Sequence, residues 1–75
     1  MADDGLNVLT IYDRPEDHPR HVVLTSWWIG ADGMLLLGQA LCDTVDEARA
    51  VPIARGMYCL PRADEDHPSV VESWM

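Results

Sequence analysis

The 75-residue chain contains no lysine and no phenylalanine, and only two cysteines. Arginine is its sole strong cation, so five arginines stand against 13 acidic residues and the formal net charge is -8. Non-specific nucleic-acid affinity comes from cations that displace condensed counter-ions, and anionic lipid surfaces attract polybasic segments. A chain this poor in cations is expected neither to bind nucleic acid directly nor to lie on a membrane. Cys42 and Cys59 stand in no Cys-x-x-Cys or Cys-x-x-His spacing. Neither a zinc site nor a redox motif is supported, and both cysteines read as small buried hydrophobes. A bridge between them would need strands that set them side by side, and cytosolic thiols ordinarily stay reduced. No apolar run approaches the ~18 residues of a membrane helix, and residues 1–5 carry no basic segment leading into an apolar one. The expectation is a cytoplasmic protein.

The motifs of catalysis are missing as well. There is no Gly-rich phosphate loop, no Gly-x-Ser-x-Gly elbow and no Cys-His pairing at a recognisable spacing, and a chain this short leaves little room for a closed pocket. His18 and His67 follow Asp17 and Asp66, with His21 close by, but one His-Pro turn in each of two loops makes no converging ligand set. Asp-His-Pro reads as turn chemistry, with the aspartate accepting turn amides and proline fixing φ. The paired carboxylates Glu16-Asp17 and Asp64-Glu65-Asp66 read as solvated turn charges. No enzymatic activity, cofactor or metal is expected.

Hydrophobic residues make up 48% of the chain, far above the level of chains too polar to fold. Folding at this size buries only about 60% of the unfolded surface, so a single domain spanning 1–75 must pack one small core efficiently or gain a partner subunit. Both a monomer and a homodimer stay open.

The periodicity predicts the order β-β-β-α-β-β. Leu6 to Tyr12 reads as a mostly buried strand, ended by Asp13-Arg14-Pro15-Glu16-Asp17-His18-Pro19, whose two prolines force an ordered acidic loop. His21 to Ile29, rich in Val, Thr and Trp, reads as a second strand, and Gly30-Ala31-Asp32-Gly33 supplies a short hairpin turn. Met34 to Cys42 returns as a strand whose near-continuous apolar character predicts burial on both faces or a central place in the sheet. Thr44-Val45-Asp46-Glu47 reads as a capping box in which the Glu47 side chain returns to the Thr44 amide. The helix it starts carries Val45, Ala48 and Val51 on one stripe and is expected to end after about two turns, because Pro52 disfavours helical geometry at Val51. Met57 to Leu60 and Ser69 to Trp74 read as short strands around a second acidic loop, 61–68. The fold class expected is α+β: an antiparallel sheet of four or five strands with one short helix on a face.

An internal echo runs through this order. Glu-Asp-His-Pro followed by Val-Val and ending in Ser-Trp occurs at 16–27 and, two residues shorter, at 65–74. Two units this short read as repeated use of one loop-to-strand entry rather than as a duplication.

Two sets of residues are candidates for partner contact. Trp27 and Trp28 are adjacent in a strand and should leave opposite faces, which one short helix cannot both cover, and Trp74 either packs over the same face or completes the core. These three tryptophans form a candidate interface. Asp13, Glu16, Asp17, Asp43, Asp46, Glu47, Asp64, Glu65 and Asp66 fall in loops or at the helix start, where they can converge into one or two negative surfaces whose carboxylates replace phosphate oxygens against arginine and lysine. The competing explanation is capping, turn chemistry and solubility, with five interspersed arginines diluting the charge.

Residues 11–19, Val22-Val23 through Trp27, 46–50, 56–62 and 70–74 resemble a family of small uncharacterised proteins of bacteria and their phages, a likeness that covers most of the chain and implies no particular activity. In size, acidity and lack of a catalytic motif the sequence is also similar in type to phage-encoded inhibitors such as anti-CRISPR proteins. That likeness implies binding to a basic host protein or nucleoprotein complex and a block of DNA binding or nuclease recruitment. It transfers no functional residue, because those inhibitors share no motif. The leading expectation is an acidic, DNA-mimicking inhibitor acting through the loops at 13–17, 43–47 and 64–66. The alternative is a small non-catalytic interaction or accessory module, homodimeric through a tryptophan-bearing sheet face.

Overall fold

The computed structural model describes residues 5–62 and 68–75, so the expected contact residues Asp64, Glu65 and Asp66, with His67, lie outside the described residues. The elements follow the expected order: β1 (Leu6–Asp13), β2 (Val22–Gly30), β3 (Gly33–Cys42), α1 (Val45–Ala54), β4 (Cys59–Pro61) and β5 (Val70–Trp74). They form one five-stranded sheet in the order β3-β2-β1-β5-β4, antiparallel throughout, so the protein is α+β. No helix among the described residues is long and apolar enough to cross a membrane.

Alternation along β1 and β2 builds two buried surfaces. On one face Leu9, Ile11, Val22 and Leu24 pack with Cys42, Trp74 and the helix residue Ala48. On the other face Val8, Thr10, Val23 and Thr25 are buried without a helix above them. The β2–β3 hairpin turns through Ala31 and Asp32, with Gly33 at a φ of 119°.

The helix starts as the sequence indicates but is finished differently. Thr44 Oγ1 accepts the Glu47 amide at 3.1 Å, whereas the Glu47 carboxylate takes the amide of Asp43, at 3.4 Å, rather than that of Thr44. Pro52 does not stop the helix, which runs ten residues to Ala54. Its ring is fully buried beneath the last turn, so burial there outweighs the lost hydrogen bond to the Ala48 carbonyl. The buried face accordingly runs through Ala48 and Pro52 with Val45 half-buried, while Val51, expected on that stripe, is exposed. Termination falls to Gly56 at φ 71°, where the Met57 amide reaches the Pro52 carbonyl and the Gly56 amide the Ile53 carbonyl, a Schellman closure.

The largest correction concerns β3. Its apolar run does not mark a central strand: β3 is an edge of the sheet, and every residue from Gly33 to Leu41 is exposed. The single helix reaches only the Cys42 end of the strand, so apolar character here reflects uncovered surface. Cys59 is likewise exposed rather than buried, and it sits on β4 at the opposite edge from Cys42; both thiols are free.

Candidate functional site

Antiparallel topology decides where the acidic residues go. The β1–β2 loop and the β3–α1 connection leave the same end of the sheet, because Asp13 pairs with Val22 and Val22 with Cys42. Asp13 and Cys42 are thus two strand spacings apart, roughly 10 Å. The Asp13 amide also donates to the Ser69 carbonyl at 2.8 Å, so the start of β5 belongs to this end too. Asp13, Glu16, Asp17, Asp43, Asp46 and Glu47 are all exposed here, while Asp32 is the one described carboxylate at the opposite end.

Pairing inside the molecule neutralises only part of this charge. Asp13 is bound by Arg14 at 3.1 Å, and Asp46 lies 3.5 Å from Arg49. Glu16, Asp17 and Asp43 make no ion pair among the described residues. Asp17 does not hold the turn as expected: the His18 amide donates to the Pro15 carbonyl at 2.9 Å and the His21 amide to the His18 carbonyl at 3.1 Å. Backbone acceptors do the turn's work, so the carboxylate stays at the surface.

The same loop leans over the helix-free face of the sheet and leaves a cleft of about 290 Å³. Glu16, Asp17 and His18 line it together with Tyr12, Trp27, Thr25 and Gln39. Carboxylates beside aromatic rings suit a guanidinium or ammonium group, which gains both ion pairing and contact with a ring face. Thr25 is 1% exposed, and its hydroxyl has no hydrogen-bond partner among the described residues. Tyr12, Thr25 and Gln39 were not singled out from sequence; the signal available was the polar Thr25 on the same strand face as Val23 and Trp27. Among the described residues no group of three or more His, Cys, Asp or Glu side chains converges on a point that could hold a metal ion.

The tryptophans separate. Trp27 lines the cleft, whereas Trp28 projects to the helix-bearing face and packs across Gly5, where a Cβ would collide with the indole. Both are half-buried, while Trp74 lies in the core, 9% exposed, its Nε1 donating to Glu72 Oε2 at 2.7 Å. The strand ends of the sequence echo are therefore not structurally equivalent. Trp27 pairs with Val8 and Trp74 with Leu9, neighbours on β1, so the two indoles leave opposite faces. Comparison with protein-family models, curated proteins and solved structures finds no match to this chain.

Proposed function

We propose that this protein is a non-catalytic, acidic inhibitor that binds the basic nucleic-acid-binding surface of a host protein or nucleoprotein complex, in the manner of anti-CRISPR proteins, and blocks DNA binding or nuclease recruitment. The observation that carries the reading is the gathering of Asp13, Glu16, Asp17, Asp43, Asp46 and Glu47 at one end of the sheet, with Glu16, Asp17 and Asp43 making no ion pair among the described residues. Unpaired surface carboxylates are free to meet arginine and lysine of a partner, and a one-ended field orients the approach and speeds association. The cleft beside Glu16 and Asp17 offers a seat for one such basic side chain.

The test is capture from nuclease-treated bacterial lysate followed by displacement with duplex DNA. A basic partner that DNA releases supports competitive mimicry. Neutralising Glu16, Asp17, Asp64, Glu65 and Asp66 to amides is expected to abolish capture, with the residual binding of partial variants weakening as salt rises, whereas Asp32→Asn at the far end leaves capture intact. Binding that survives the amide substitutions, or that ignores both salt and DNA, overturns the reading.

A further inference from the structure

The acidic end does not account for the opposite feature of the surface, the uncharged edge. From Gly33 to Cys42 the chain carries no charged residue, although the whole protein has a formal net charge of -8. Met34, Leu35, Leu36, Leu37 and Leu41 are 49–63% exposed along this one strand. Leu36 and Met34 stand beside Trp27 and Ile29 on the helix-free face, and Leu35 beside Trp28 on the other, so both faces of the edge are apolar. Outward from β2, every second residue of β3 also turns its N–H and C=O to solvent. Natural sheets blunt such edges with lysine, proline, inward charge or very short strands. Apart from one bulge after Leu36, β3 uses none of these, whereas the other edge, β4, has three residues and ends in Pro61.

We infer that β3 is the interface for a second copy of this chain, pairing antiparallel with its counterpart to make one continuous ten-stranded sheet. Three features select that occupant. A strand edge is complementary to itself across a two-fold axis, and the leucines on each face then continue into those of the other copy. Antiparallel pairing directs the two acidic ends away from each other, whereas a parallel arrangement would bring them together; and a strand without charged residues lets two such acidic molecules meet without like charges facing each other in the ladder. Because the β4 edge is short and ends in proline, the assembly closes at two copies instead of growing into a fibre.

Light scattering coupled to size exclusion reads this directly. The expected mass is twice 8.4 kDa, and the dimer fraction rises with salt as repulsion between like-charged copies is screened. That is the opposite salt response to the one expected for a basic partner, so either idea can fail alone. Leu35→Lys with Leu37→Lys places charge on exposed positions of the edge and is expected to halve the mass while the far-ultraviolet spectrum is kept. On the unaltered chain, amide exchange should show β3 protected at high concentration and open on dilution. A wild-type mass of 8.4 kDa at high concentration and high salt, a mass that keeps growing beyond two copies, or β3 amides that exchange equally fast at all concentrations overturns the proposal.

Discussion

Arg49 on α1 and Glu72 on β5 are held by two parallel hydrogen bonds, Nε to Oε2 at 2.9 Å and Nη2 to Oε1 at 2.8 Å. This fork ties the helix to a strand on the far side of β1 from the hairpin. Trp74 Nε1 donates to the same carboxylate at 2.7 Å, so Glu72, 7% exposed, is satisfied from two directions. The hydrogen bonds from Arg49 hold its carboxyl below the ordinary value, with the indole assisting and burial opposing.

Breaking the pair is expected to be asymmetric. Arg49→Ala leaves a buried carboxylate without its cation, while Glu72→Gln leaves a half-exposed guanidinium that water can reach and keeps an acceptor for Trp74. Thermal unfolding at neutral pH should show the larger fall in Tm for Arg49→Ala; the reverse order contradicts the assignment. The acid limb follows from the sign of the shift. A carboxyl lowered on folding contributes stability that is complete above its unfolded value and is lost as pH falls through its folded value. Glu72→Gln lacks that contribution, so its stability should fall less steeply than that of the wild type as pH drops below about 5.

Thr25 leads to a gain. Its hydroxyl is buried without a partner among the described residues, a cost of about 1–3 kcal/mol for a polar group left unsatisfied. Thr25→Val keeps the shape and removes the hydroxyl, so denaturant unfolding should show a stabilisation of about 1 kcal/mol. A destabilised valine variant would mean that the hydroxyl is satisfied in solution.

Much of the fold was legible because it depends on local pattern. Alternation in β1 and β2, the Gly30-to-Gly33 turn and Thr44 at the helix start each act within a few residues. The misread parts depend on distant ones. An apolar run such as Met34 to Leu41 looks the same whether a sheet buries it or leaves it at an edge, and only strand order distinguishes the two. Glu72 passed unnoticed inside Val-Val-Glu-Ser-Trp because its partner is 23 residues away, although a carboxylate sharing a strand face with Trp74 was the available cue. The acidic candidates could be named one by one, but their common end became visible only when β1, β2 and β3 were set side by side.

Gly5 and Trp28 give a test of close approach. A Cβ on residue 5 would collide with the indole ring, so Gly5→Ala must displace Trp28 or move the start of β1. Overpacking of this kind costs typically 1–3 kcal/mol. The variant should unfold at lower denaturant and show altered near-ultraviolet dichroism, a change that Trp28→Leu in the same background should remove. An unchanged spectrum in the alanine variant would place the indole elsewhere.

The two thiols should differ in reactivity for reasons visible in the sheet. Cys42 is buried, while Cys59 is exposed on β4, so a thiol reagent should modify one cysteine in the folded protein and the second only on unfolding. Partial covering of the sulfur, and next the neighbouring Glu72 carboxylate, raise the Cys59 thiol above its ordinary value. Its thiolate fraction at neutral pH is therefore small, and modification should be slow until the pH rises. Glu72→Gln removes the negative neighbour but not the covering, so the rate profile should move toward lower pH without reaching that of an open thiol. Protection of Cys42 in the same reaction shows that the fold has survived the substitution. A rate at Cys59 unaffected by Glu72→Gln, with Cys42 still protected, would show that the carboxylate does not control the thiol.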